Sequence, residues 1–288
     1  MERLTVVLKR TSVLSLLAVL GLWGVAPPAL GQALVPYVLP LDFSRLEEQG
    51  LVLAQEALQL AQFQQYGVAL ERAQLASQLA PGRAEVWALL GSLYLQLDQV
   101  DEAIPALDQA QTLDGNNAGV LFSLGSAYFQ KGEYRRAADL LERGLAIQPE
   151  NAAALFDLGN AYFKLNQYPQ AISSYESSVR ITPEFWPSVN NIGLVLFEQG
   201  KTEEAIARWR IASEAAPEEP EPKLAIAVAL YTQGERTESI RLGIEALEQD
   251  SRYADPNYLL DNLWGSRLMT STEQFFQIPV VKALIAQL

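Results

Sequence analysis

Histidine and cysteine are both absent from this chain, and methionine occurs only twice. Without histidine and cysteine the sequence loses the usual metal ligands, the usual general base near neutral pH and the thiol nucleophile. It also has no disulfide framework and no cysteine to carry a lipid anchor. Basic residues are scarce relative to acidic ones, 21 against 34, which gives a net charge of −13. An acidic chain is a poor match for nucleic acid, where neutralised phosphates drive affinity, and it lacks the basic surface that anionic lipid attracts. No short turn gathers several glycines into a phosphate loop. The acidic pairs Glu203-Glu204 and Glu218-Glu219 suit solvated helix ends, where carboxylates oppose the helix dipole. Asp114-Gly115-Asn116-Asn117 lacks the alternation and terminal glutamate of a calcium loop and reads as a turn. These absences predict no enzyme, no cofactor and no metal.

What the chain does have is a 34-residue period. Gly91, Gly125, Gly159 and Gly193 stand at one phase of it, inside the phrases WALLGSLYLQ, LFSLGSAYFQ, LFDLGNAYFK and VNNIGLVLFE. A period of this length indicates stacked helix pairs that form a surface. Small residues let two helix backbones approach, and larger ones fill the space around that contact. Turn chemistry agrees: Lys131-Gly132-Glu133 and Gln199-Gly200-Lys201 divide the helices within a repeat, and Pro149 and Pro183 break the chain between repeats.

The pattern resembles the tetratricopeptide repeat, a pair of antiparallel helices with fixed small and large positions. The 84–117 copy carries Trp87, Leu90, Gly91, Tyr94, Ala103, Leu107 and Ala110. The 118–151 copy carries Leu121, Leu124, Gly125, Tyr128, Ala137, Leu141 and Pro149. The 152–185 copy carries Leu155, Leu158, Gly159, Tyr162, Ala171, Tyr175 and Pro183, and the 186–219 copy Ile192, Gly193, Leu196, Ala205, Trp209, Ala212 and Pro217. Weaker copies at 50–83 and 220–253 flank these; the last has Ser239 where the small alanine is expected and Gly243 at a large position. The resemblance implies an all-α fold, a right-handed α-solenoid of six helix-turn-helix repeats over 50–253.

Outside the array, Arg3, Lys9 and Arg10 precede an apolar run from Val13 to Ala26, followed by small residues near Gly31 and Ala33. That layout predicts a secretory signal peptide over 1–31, or to 33; the alternative is an uncleaved membrane anchor, although the run is shorter than the roughly 20 residues that span a bilayer. Cleavage at 31 removes three basic and one acidic side chains and moves the charge from −13 to −15. Residues 32–49 read as a linker, with two prolines in LVPYVLPLD. Residues 254–288 predict a C-terminal helical cap: a helix through Tyr258–Leu260, a helix capped by Thr270 or Ser271 that carries Phe275 and Phe276, and a short helix after Pro279. The tail phrase NLWGSRLMTSTEQFF is similar to that of exported tetratricopeptide proteins of cyanobacteria and the plastid lumen. This resemblance implies periplasm or thylakoid lumen and work on photosynthetic or envelope complexes.

In the resembled family, ligands lie along the first helices. The matching positions here place Phe122, Ser126, Phe129, Phe156, Asn160, Phe163, Lys164, Asn190, Asn191 and Phe197 on a groove that is aromatic and apolar with asparagines in its middle. Clustered aromatics mark binding surfaces, and asparagines match an extended backbone. The cations that grip a partner's terminal carboxylate are missing; Lys164 is the one basic candidate. The expected function is therefore an exported, non-catalytic scaffold or assembly factor that binds an apolar peptide or helix. The alternative is a self-assembling module that uses its end faces or its tail; the oligomeric state is left open.

Overall fold

The computed structural model describes residues 42–288, and all the regular structure among them is helical. The expected signal peptide and most of the expected linker lie outside these residues. The array is built of paired helices: α1 Phe43–Gln62 with α2 Tyr66–Leu79, α3 Ala84–Gln96 with α4 Val100–Leu113, α5 Ala118–Gln130 with α6 Tyr134–Ile147, α7 Ala152–Lys164 with α8 Tyr168–Ile181, α9 Trp186–Glu198 with α10 Thr202–Ala215, and α11 Pro220–Thr232 with α12 Arg236–Gln249. Each pair packs on itself and then on the next. Residues 43–49 are helical, so α1 begins well inside the stretch read as linker. The sequence Phe43–Gln49 contains no proline or glycine to stop a helix, and the prolines at 36 and 40 lie upstream.

Local chemistry sets the boundaries. In every pair one turn residue takes positive φ at the same phase: Gln64, Asp98, Gly132, Asn166, Gly200 and Gly234. Three of the six are glycine, for which that conformation has no Cβ cost. Between pairs, Asn117 and Asn151 cap the next helix by accepting from Val120 N and Ala154 N at 3.2 and 2.9 Å. Prolines sit in the first turns of α8, α9 and α11, where no intrahelical donor is lost.

The in-phase glycines are the points of closest helix approach. A Cβ added at Gly125 would stand 2.6 Å from Leu141 Cγ, and one at Gly91, Gly159 or Gly193 would strike Leu107, the Tyr175 ring or the Trp209 indole. Leu107, Leu141, Tyr175 and Trp209 are fully buried as a result. Glycine costs about 1 kcal/mol of helix propensity against alanine. Burying one such large side chain returns roughly 1.5–3 kcal/mol, so the packing outweighs the cost.

The sixth repeat inverts this arrangement: Gly243 occupies the large position, and the chain completes it from elsewhere. A 3-10 turn at Ser251–Ala254 leads to α13 Pro256–Asp261, α14 Ser266–Phe276 and α15 Pro279–Ile285. Phe275 of α14 places its ring in the space that Gly243 leaves, against Ala227 and with Tyr231 at a ring distance of 5.9 Å. α14 packs on α9 and α11, and α15 on α12. The tail thus lies across the first helices of the last repeats. Leu259, Leu263, Trp264, Leu268, Phe275 and Val281 are all buried there. α14 starts four residues before Thr270, so Thr270 and Ser271 are interior; their hydroxyls donate back to Ser266 O and Arg267 O. Its N-terminus is closed by Glu198 of α9, whose carboxylate accepts from Arg267 N and Leu268 N at 3.1 and 3.0 Å. A carboxylate at that end of a helix satisfies free donors and opposes the dipole.

Candidate binding surface

The aromatic residues expected to line an open groove are largely held by the protein itself. Phe122 packs into the notch above Gly144, a position where neighbouring repeats carry Ala110 and Ser178. Phe129 stacks near Tyr134, and Phe156 packs between Tyr175 and Phe185, with ring centroids 5.8 and 5.4 Å away. Phe163 is buried beside Tyr168 and the Leu263–Trp264 stretch. Phe197 is 1% exposed, against Trp209 and under the Arg267 guanidinium. Phe163 and Phe197 are therefore core residues of the tail interface and not a free surface.

The polar members are committed as well. Ser126 donates to Asp157 Oδ2 at 3.0 Å, across repeats. Burial pushes the Asp157 carboxyl up to about 6, and the Ser126 bond pulls against that shift. Asn160 Oδ1 accepts from Tyr175 OH at 2.7 Å and from Asn191 Nδ2 at 3.0 Å. Asn190 Nδ2 donates to Asn191 Oδ1 at 3.2 Å, while the Asn190 backbone carbonyl accepts from Trp209 Nε1 at 3.0 Å. These three asparagines are buried and tie α7 to α9, and they do not present an open ladder for a ligand backbone. Lys164 is half-buried; burial lowers its pKa and Asp261 of the tail raises it.

The open part of the concave face lies elsewhere, over the first three repeats. A cleft of about 650 Å³ is lined by Leu51, Ala54, Leu58, Ala88, Leu89 and Val120, with polar residues such as Gln55, Glu85, Ser92 and Asn117 among its walls. Its cause is legible in side-chain size. The position filled by Phe122 and Phe156 in the third and fourth repeats is Ala54 and Ala88 in the first two, and Gly119 opens the far wall. The run of small residues at that phase is the signal for this cleft. Attention to large residues misses it, because a missing side chain makes space. Among the described residues no group of three or more Asp or Glu side chains is placed to hold a metal, and no helix is long and apolar enough to cross a membrane.

A repeated helix pair with in-phase glycine contacts defines the class, and comparison with known proteins agrees. Residues 42–189 match the family model for the cytochrome c-type biogenesis protein H TPR domain, 148 of 288 residues. Residues 190–254 match a further tetratricopeptide repeat model. The chain belongs to the tetratricopeptide repeat family, whose fold typically serves as a non-catalytic protein-interaction scaffold. Comparison with curated proteins gives no match. Similar solved structures include MamA protein, 26% identical with a TM-score of 0.53, covering 58% of this chain and 92% of MamA. PilF of Pseudomonas aeruginosa is 17% identical with a TM-score of 0.61, covering 72% and 94%. YrrB, described as a TPR protein with an unusual peptide-binding site, is 18% identical with a TM-score of 0.52, covering 70% and 97%. The last two identities support the fold alone.

Proposed function

We propose that this chain is an exported, non-catalytic scaffold or assembly factor whose first three repeats hold an apolar peptide or helix of a partner protein. The observation that carries the reading is the cleft floored by Leu51, Ala54, Leu58 and Ala88, the stretch of the concave face that the tail leaves open. Leu58 is 51% exposed in a wall of small and apolar residues, a surface that gains from being covered. YrrB, an array of the same fold, is described as having a peptide-binding site, and a peptide is proposed as occupant by that analogy. The basic, apolar and small-residue order of the first 33 residues supports export, to a periplasm or thylakoid lumen, and service to envelope or photosynthetic complexes.

The direct test is in-cell photocrosslinking from positions 58 and 88, followed by mass spectrometry, beside the variant Ala88→Glu. A discrete partner captured by the parent and lost in Ala88→Glu is expected. Equal capture by both overturns the cleft assignment. N-terminal sequencing of the mature chain tests export separately, and a chain beginning at Met1 in a cytosolic fraction refutes it. Self-assembly is the second reading. It is favoured by Phe43 and Phe63, 74% and 76% exposed on the first helix and the turn after it, and light scattering that finds a monomer at all concentrations excludes it.

A further inference from the structure

A second cavity, of about 230 Å³, lies where the tail meets α7, α9 and the start of α11. It has three aromatic walls, Phe129, Phe156 and Trp186, and two carboxylates, Glu221 and Asp261. Among the described residues that line it none is basic. Lys164 faces Asp261 from the adjoining cleft and does not line this one.

Hydrogen bonding around the cavity has a direction. Tyr175 donates to Asn160, Asn191 donates to Asn160, and Asn190 donates to Asn191. Trp264 Nε1 donates to Glu221 Oε1 at 3.1 Å. These donors are spent among neighbours, and one buried acceptor is left over. Asn190, 1% exposed, keeps an Oδ1 with no hydrogen-bond partner. Turning that amide over would set its oxygen against Asn191 Oδ1, and that contact favours the orientation described. Buried acceptors are normally satisfied, and one left open at a cavity wall asks for a donor. Glu221 has no cation against it, and burial holds its carboxyl well above the ordinary range, so a cation entering the cavity would favour its ionised form.

We propose that this cavity binds an organic cation, an ammonium or guanidinium on a short apolar stem. Aromatic faces attract such a cation through their quadrupoles and also cover its stem. The carboxyl groups supply the opposite charge, and a multi-donor head provides the hydrogen that Asn190 Oδ1 lacks. Anions are disfavoured by Glu221 and Asp261, and a purely apolar ligand would leave the acceptors unmet. The cavity has several times the roughly 30 Å³ that a water takes in the liquid, enough for a side-chain-sized group. It is separate from the cleft over the first three repeats and does not depend on it. The two natural sources of such a cation are a free small amine or guanidine and a Lys or Arg side chain on a bound polypeptide.

The test is a titration of the ¹⁵N-labelled chain, followed at the indole N–H signals of Trp186 and Trp264. The probes are n-butylguanidinium, its neutral isostere n-butylurea, and the capped tripeptide Ala-Arg-Ala beside its citrulline analogue. Saturable shifts with butylguanidinium and none with butylurea are expected. Glu221→Gln should weaken binding about tenfold, the loss of one buried charge contact. Asp261→Asn, at an exposed position, keeps the test valid should Glu221→Gln fail to fold, and it should weaken binding by about threefold. Tighter binding of the arginine peptide than of butylguanidinium identifies a polypeptide as the source; the reverse order identifies a free small molecule. Equal response to butylurea, no saturable shift, or unchanged affinity in both variants overturns the proposal.

Discussion

The second and fifth repeats share a glycine contact at one phase, yet the second faces an open cleft and the fifth is roofed by the chain's own tail. In the second, Ala88 and Ser92 stop short of the concave surface and leave a hollow. In the fifth, Asn190, Leu194 and Phe197 are all buried beneath the helices that follow Asp255. The backbone repeat is thus neutral about function. Residues beside the glycine decide whether the face stays free, fills itself or takes a cover.

The strongest way to break this contrast is to remove residues 256–288. Eight buried apolar side chains leave with them, among them Trp264, Leu268 and Phe275. At roughly 1.5–3 kcal/mol each, their loss reaches or exceeds the whole stability of a typical domain, about 5–15 kcal/mol. Hydrogen exchange should show repeats 5 and 6 unprotected and repeats 1–3 little changed; uniform protection would mean that the halves are not energetically distinct. Next in size, Phe275→Ala empties the space above Gly243 and should cost about 3–5 kcal/mol in denaturant melts. A loss under about 1 kcal/mol would show that the ring is not the anchor of the cap.

Smaller, and dependent on pH, is the effect of Glu221. Burial first, opposed by bonds from Trp264 and Asn190, raises its carboxyl to about 7 from the ordinary 4.5. The folded state therefore holds the proton more tightly than the unfolded chain. The stability this contributes is fully present below about 4.5 and is lost as pH rises through 7. A rise of that size corresponds to about 3 kcal/mol at most. Glu221→Gln should flatten the stability profile between about pH 5 and 8, and an unchanged slope would remove Glu221 as its source. The smallest stability effect belongs to the open half. Leu58→Ala should change stability by no more than about 0.5 kcal/mol while reducing partner capture. A larger loss would place Leu58 in the core and erase the distinction.

How far the sequence foretells this follows the same division. Helix pairs, glycine contacts and inter-repeat turns are local and periodic, so the contact of Gly125 with its partner helix is readable from the amino-acid order alone. Gly243 stands out in that order as an irregularity, but its partner Phe275 lies 32 residues away and outside the period. The candidate site is affected most. Phe163, Phe197 and Asn190 sit at groove positions by register, and nothing in the period says that the tail covers them. Register alone also puts Phe122 on the open face. The glycine that accepts its ring, Gly144, stands at a position held by alanine in four of the other five repeats and by Ser178 in the next, and that exchange is the clue in the sequence.

The pairing of Phe275 with Gly243 also acts as a stop codon written in shape. An array of identical units has no intrinsic length, since each new pair offers the next the same face. Here the last unit lacks the side chain that every inner unit supplies to itself, and only the tail carries a replacement. Repeats inserted upstream of Pro220 would leave that match intact, whereas one appended after Asp250 would separate the two halves. The solenoid therefore marks its own end at the place where the pattern fails.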